Sequence, residues 1–258
     1  MNELVAQLAE AAGIAQDSLW VAALLFLRVG AAVSLMPAFG EQAVPQRIKL
    51  AIAISFTAIV FPAVADQLRD PNSLPIAAAE EVLAGLVLGI GMRLFILALH
   101  LAGAIAAQTT SLSQLFGGST PEPQPAIGNL LTMAALAVAV RAGLHVRAAK
   151  MLILSYDVFP AGRLPTISDV ADWGLANVVR ATALGFSLAA PFVVASVIYN
   201  LALGIINRVM PQMPVSLVGA PLLTFGSLVL MAVVAPLMLA VWLEGFMAFL
   251  SDPTRITP

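Results

Sequence analysis

Hydrophobic residues in this 258-residue chain run in long uninterrupted blocks separated by short polar or proline-bearing joints. Spanning a bilayer core in helical form takes about 20 apolar residues, and six blocks approach or exceed that length. They are Leu19–Met36, interrupted only by Arg28; Ile48–Ala65, entered through Pro45 and closed by Pro62; and Val82–Ala107, which carries Arg93 and His100. The fourth is Ala126–Val140, short but continuing past Arg141 into Leu144–Leu154. The last two are Leu175–Ile206, with Arg180, and Val209–Leu243, which prolines cut so that its helix is expected to begin near Val215 or Pro221. The blocks are rich in alanine and leucine and lack the period-two alternation of a barrel wall. The pattern predicts an all-α polytopic membrane protein of about six long helices, in one domain over residues 1–258.

Composition strengthens that reading. Hydrophobic residues make up 60% of the chain and charged residues 10%, with a mean hydropathy of +0.98. Soluble domains carry roughly 25% charged residues, so lipid or a large partner must cover this surface. Net charge is −2 with no basic run, which gives no footprint for nucleic acid. Cysteine is absent, removing disulfides and thiolate chemistry, and His100 and His145 lie far apart. No lysine or arginine precedes Arg28, so a cleaved leader with a cationic start is not expected.

Charges inside the blocks carry the next layer of information. An ionised side chain at mid-bilayer costs about 2.5–3.5 kcal/mol on the insertion scale, whereas each strongly apolar residue returns about 0.3–0.6 kcal/mol. Arg28 therefore leaves the first helix near break-even and in need of a partner, and Arg93 and Arg180 pose the same problem. On helix three, Gly85, Gly89, Arg93, His100, Gly103 and Ala107 fall within a stripe about 80° wide. Small residues at four-residue spacing let another helix approach closely, so this stripe is expected to pack against protein. Arg180, Ser187, Pro191 and Ala195 share a similar face on helix five, and both stripes suit packing against other helices, this chain's own or a partner's. A transport pathway or proton relay would need carboxylates in the apolar blocks. Only Glu244 lies within one, with Glu80 and Glu81 at a helix entrance. Interhelical ion pairs or snorkelling are the plainer reading of these charges. Asp157, beside Ser155 and Tyr156, has no accompanying nucleophile and base, and no active site is apparent.

Two connections differ from the rest. Gln108–Pro125 is polar, rich in Gly, Ser, Thr and Pro, and carries only Glu122 as a charge. Backbone of this kind cannot face lipid; it reaches water as a loop or is buried in protein. Ser155–Trp173 holds Asp157, Arg163, Asp169 and Asp172 and reads as an aqueous segment. Orientation is weakly coded. Arg47 and Lys49 place the N-terminus outside by the positive-inside rule, but alternation then puts Arg141, Arg147, Lys150 and Arg163 on the wrong side.

Four stretches carry a resemblance. Arg28 through Pro37-Ala38-Phe39-Gly40 and on to Pro45-Gln46-Arg47-Ile48 is similar to the first hairpin of the FliR family of type III export-gate proteins. Gly89–Gln108 is similar to the helix leading into that family's internal loop. Ser155-Tyr156-Asp157-Val158-Phe159-Pro160-Ala161-Gly162 resembles its Ser-Tyr-x-x-x-Pro-x-Gly segment. Arg208-Val209-Met210-Pro211-Gln212-Met213-Pro214-Val215, then Val218-Gly219-Ala220-Pro221, resembles its Arg-x-x-Pro-Gln-x-x-Val stretch. Each motif is weak alone; their order, spacing and coverage from about Leu19 to Phe249 are not. Departures are Pro121, Pro123 and Pro125 in the internal loop, and Leu144 where the family more often has glycine or asparagine.

The resemblance implies a non-enzymatic, cofactor-free subunit of helical hairpins in the bacterial inner membrane, at the flagellar basal body. Its implied partners are FliP-, FliQ- and FlhB-like subunits, and its implied substrates are unfolded secreted proteins. It also implies that Gln108–Pro125 plugs the closed channel, with Gln108, Ser111, Ser113, Gly117, Gly118 and Ser119 as its small, uncharged elements. The alternatives are the equivalent gate subunit of a virulence-type secretion system, or a small-molecule permease subunit. The permease would need a midplane site between matching halves, and none is visible.

Overall fold

A computed structural model of the chain describes residues 2–68, 74–111, 126–161, 166–209 and 215–253. Among these residues there are seven α-helices and no strand: α1 Asn2–Leu35, α2 Gln46–Val64, α3 Leu74–Ser111, α4 Ala126–Arg141, α5 Leu144–Val158, α6 Ile167–Val209 and α7 Val215–Ser251. Five helices are long and apolar enough to cross a membrane, six if the broken pair α4 and α5 is taken as one span. The protein is a helical polytopic membrane protein, and its helices follow the apolar blocks of the sequence.

Several boundaries move. α1 starts at Asn2 rather than near Leu19, because the preceding residues are mostly Ala, Leu, Glu and Gln, which favour helix, with no proline. α3 starts at Leu74 and continues to Ser111, so Glu80 and Glu81 lie inside a helix rather than at its entrance. The fourth block breaks at Gly143, whose φ of 83° lies in the left-handed region that favours glycine. α7 starts at Val215, directly after Pro214, and runs through Pro221 and Pro236.

The chain divides into two compact units, residues 1–93, 143–177 and 247–258 in the first, and 94–142 and 178–246 in the second. In the first unit, α1 and α2 form a hairpin whose turn holds Ala38 at φ 70°. The Gly40 amide donates to the Met36 carbonyl across that turn at 2.7 Å. A side chain on Gly40 would collide with the backbone carbonyls of Ser34 and Met36, so the turn requires glycine there. Lys49 Nζ donates to the Gly40 carbonyl at 2.9 Å, tying the first turn of α2 to the loop. α3 runs so close to α1 that a Cβ on Gly85 would strike the Arg28 carbonyl, and one on Gly89 would meet Leu35. Gly91 faces the rings of Trp173 and Phe249, and Trp173 Nε1 donates to the Pro253 carbonyl at 2.7 Å.

The second unit centres on Trp242, which is fully buried. Its ring stacks on Phe246 with centroids 5.1 Å apart, and its Nε1 donates to the Phe95 carbonyl at 2.8 Å. Gly185 of α6 gives the same close approach to α3 that Gly85 gives in the first unit, facing Leu101 and the Ala98 carbonyl. The buried face of α6 is Ala181, Leu188, Ala189, Phe192 and Ser196. The expected stripe is not the inward face: Ser187 and Ala195 are exposed, and Arg180 and Pro191 are half-buried, which leaves that face to surroundings outside this chain. In an almost uniformly apolar helix, lipid-facing and protein-facing sides carry the same residue types, so periodicity could not select between them.

Candidate functional site

The most connected polar group in the described structure is Arg28, near the middle of the apolar part of α1. Its neighbours Leu24, Leu25, Val29 and Ala32 are fully or almost fully buried, and Arg28 itself is 1% exposed. A guanidinium so placed needs partners within the protein, and four of its N–H groups have them. Nε donates to Glu81 Oε2 at 2.7 Å and Nη2 to Glu81 Oε1 at 2.9 Å, the bidentate geometry that suits arginine. Nη1 donates to Ser155 Oγ at 3.2 Å and Nη2 to the Phe159 carbonyl at 2.9 Å. The guanidinium carbon lies 3.7 Å from the centre of the Tyr156 ring.

Glu81 and Ser155 are answered in turn. The Tyr156 hydroxyl donates to Glu81 Oε2 at 2.8 Å, and the Ser155 hydroxyl donates to the Leu152 carbonyl at 2.6 Å. The cluster joins three helices, with Arg28 from α1, Glu81 from α3 and Ser155 and Tyr156 from α5. Phe159, at the C-cap of α5, donates its amide to the Ser155 carbonyl at 2.7 Å, which leaves its own carbonyl for Arg28. The Ser-Tyr-x-x-x-Pro segment is therefore a receptor for the α1 arginine. Ser155 and Tyr156 are buried and do not belong to an aqueous segment; Asp157 and Pro160 are exposed.

A second ion pair sits further along α3. Arg93 Nη1 meets Glu41 Oε1 at 2.6 Å, with the two side chains 30% and 23% exposed. Together with Lys49, it pins the α1–α2 turn that contains buried Pro37. Glu81, Gly85, Gly89 and Arg93 follow each other at four-residue intervals, so ion pair, close approach, close approach and ion pair lie along one stripe of α3. That spacing was the available signal for Glu81, and placing it at a helix entrance concealed it. Glu41 and Trp242 carried no comparable signal.

The other singled-out residues lie apart from this cluster. Arg47 is exposed in the first turn of α2, Arg208 is exposed in the last turn of α6, and Glu244 is exposed on α7. Gly219 and Pro221 are in the first turns of α7. Gln108 and Ser111 belong to the last turn of α3, so the expected loop begins later than Gln108. Ser113, Gly117, Gly118, Ser119, Pro211 and Gln212 lie outside the described residues. Among the described residues, no group of three or more His, Asp or Glu could hold a metal ion.

The cluster's chemistry is that of positioning. The carboxylate is chelated, and four of the guanidinium's five N–H groups are bonded to Glu81, Ser155 and the Phe159 carbonyl, so the pair is directed at its own neighbours and not at a reactant. What the arrangement can do is fix the axial register and rotation of α1, α3 and α5.

Comparison with known proteins places the cluster in context. Residues 19–249 match the family described as bacterial export proteins, family 1. The chain is 35% identical to the flagellar biosynthetic protein FliR of Caulobacter vibrioides, over 88% of this chain and 93% of that protein. It is 28% identical to the flagellar biosynthetic protein FliR of Escherichia coli over 82% of each, and 27% identical to that of Bacillus subtilis over 77% of this chain and 80% of the relative.

Proposed function

The chain belongs to the family of bacterial export proteins, family 1, and on that premise we propose that it is a non-enzymatic core subunit of the flagellar protein-export gate. In this reading it sits in the bacterial inner membrane at the flagellar basal body. With FliP- and FliQ-like subunits, and an FlhB-like neighbour, it forms the channel through which unfolded flagellar proteins leave the cytoplasm. The observation that carries the reading is the 35% identity to a flagellar biosynthetic protein FliR, extending over nearly the whole of both chains. The helical fold with five or six candidate spans is what such a membrane subunit needs.

Three features support the finer parts of this reading. Long apolar faces remain exposed on α2, α6 and α7, among them Ile54, Ile59, Val197, Leu201, Val233 and Leu237, leaving large surfaces for lipid and neighbouring subunits to cover. The Arg28 cluster gives a rigid helical frame. The segment after α3 is small, polar and almost uncharged. A plug must seal and then yield to a passing chain, and fixed charges would trap that chain. We assign the plug to residues 112–125, with Gln108 and Ser111 as its helical root.

Deleting the gene and scoring motility and flagellin in the medium tests the reading. Loss of both, restored by the intact gene, supports it. Normal swimming and secretion would overturn it.

A further inference from the structure

α5 is, with α4, one of the two short α-helices among the described residues. It has 15 residues, about 22 Å at 1.5 Å per residue, too short for a hydrocarbon core of about 30 Å. It starts at the break at Gly143, directly after the apolar α4. One face is consumed: Leu144, Ala148, Met151, Leu152, Ser155 and Tyr156 are buried, the last two in contact with Arg28.

The opposite face is exposed and cationic. At 100° per residue, Val146, Arg147, Lys150, Leu154 and Asp157 fall on one stripe, and all five are exposed, Val146 by 49% and Leu154 by 43%. Two fixed cations stand one turn apart, with Asp157 two turns further along the helix. The cations alternate with large apolar side chains instead of forming a purely charged surface.

We propose that α5 lies in the plane of the membrane interface and that Arg147 and Lys150 bind the phosphates of anionic phospholipids. Interfacial helices show this arrangement, with apolar side chains entering the acyl boundary while lysine and arginine meet headgroups. The bilayer is the occupant that satisfies both halves of the stripe. Val146 and Leu154 gain an apolar medium, and the two cations gain counter-charges without leaving water. Because Ser155 and Tyr156 fasten the reverse face, the headgroups reach the Arg28 cluster through one rigid helix. Bound lipid should therefore stabilise the fold and not only decorate it. The inference stands independently of the export reading, since it concerns how the chain sits in a membrane.

The test is thermal unfolding of the protein, purified with whatever subunits accompany it, in a neutral detergent. Phosphatidylglycerol or phosphatidylcholine is titrated into the micelles. Phosphatidylglycerol should raise the midpoint, phosphatidylcholine should not, and added salt should weaken the response. Each of R147Q and K150Q should raise the half-saturating lipid concentration about fivefold, and the double variant about 25-fold. The charge-preserving R147K/K150R should respond as the native protein does, which separates lost binding from lost folding. An equal response to both lipids, or an unchanged response in the double glutamine variant, overturns the proposal. So does a double variant that keeps the lipid response but loses co-purifying subunits, since the stripe would then face protein. Secretion assays on the same strains report on the export reading separately.

Discussion

Tyr156 holds both members of a buried ion pair at once: its ring lies 3.7 Å from the Arg28 guanidinium carbon and its hydroxyl donates to the Glu81 carboxylate at 2.8 Å. The two contacts are separable by substitution. Tyr156→Phe removes only the hydrogen bond to a charged acceptor, a loss of about 1.5–3 kcal/mol. Tyr156→Leu also removes the cation–ring attraction, which adds about 2 kcal/mol when the cation is desolvated. Unfolding midpoints in detergent should therefore fall in the order native, Phe, Leu. Equal midpoints for Phe and Leu would show that the ring contributes nothing beyond its volume.

The ion pair beneath Tyr156 should behave non-additively. Arg28→Met alone strands the Glu81 carboxylate, and Glu81→Leu alone strands the guanidinium; each should cost about 3–5 kcal/mol. Arg28→Met with Glu81→Leu leaves no buried charge and should recover most of that loss. Arg28→Lys should resemble Arg28→Met, because an ammonium cannot chelate both Glu81 oxygens and also reach Ser155 and the Phe159 carbonyl. Steady-state protein level in membranes, with a double-mutant cycle on the purified protein, checks this. Additive losses would show that the two side chains do not act as a pair.

The glycine stripe on α3 makes a sharper claim about geometry. Gly85→Ala places a methyl group against the Arg28 carbonyl, backbone that cannot turn aside, and Gly89→Ala presses on Leu35. Either substitution should separate α1 from α3 and strain the ion pair, destabilising by about 1–3 kcal/mol. Gly174→Ala is the control. Nothing lies within 4 Å of the added carbon there, and helix propensity favours alanine by about 0.5–1 kcal/mol. A Gly85→Ala protein as stable as Gly174→Ala would contradict the observed approach of the two helices.

In the second unit, Trp242 supplies both volume and a hydrogen bond. Trp242→Phe keeps much of the stacking on Phe246 but loses the bond to the Phe95 carbonyl, a cost of about 1 kcal/mol. Trp242→Ala empties a fully buried site and should cost about 3–5 kcal/mol. Unfolding in detergent followed through Trp20 and Trp173 fluorescence reads both. Similar losses for the two variants would place the tryptophan's contribution in its N–H and not in its bulk.

Long apolar blocks made the helices legible, because a bilayer imposes one length and one composition on whatever crosses it. Arg28 was legible as a residue in need of a partner, for the same reason. Its partners were harder to see. Glu81 sits beside Glu80, where two carboxylates near a proline read as a helix start, and only its four-residue spacing from Gly85, Gly89 and Arg93 distinguishes it. Ser155 and Tyr156 precede Asp157, and the density of charge between Asp157 and Asp172 made the whole stretch look aqueous. Only the helical phase separates buried Tyr156 from exposed Asp157. On α6 the sequence stripe of Arg180, Ser187, Pro191 and Ala195 differs from the face buried within the chain, because polar residues lie on its exposed side. In water that would be the rule; in a membrane chain it can also mark a side left for other subunits.

The extension of α3 to Ser111 changes how the plug should be tested. Removing Ser111 would cut into the helix, so the informative deletion spans residues 112–119 and leaves Gln108 and Ser111 in place. No contact of the Arg28 cluster, of Arg93 with Glu41 or of Trp242 with Phe95 falls in that interval. The deletion strain should therefore accumulate the protein at native levels and retain its co-purifying subunits. Its membrane should become permeable to ions, measured as conductance in reconstituted bilayers or as sensitivity of growth to external salt. A deletion of 109–119, which shortens the helix as well, should lower protein level and confuse the two effects. Native abundance with unchanged conductance would mean that residues 112–119 do not seal the channel, while leaving assignment to the export family untouched.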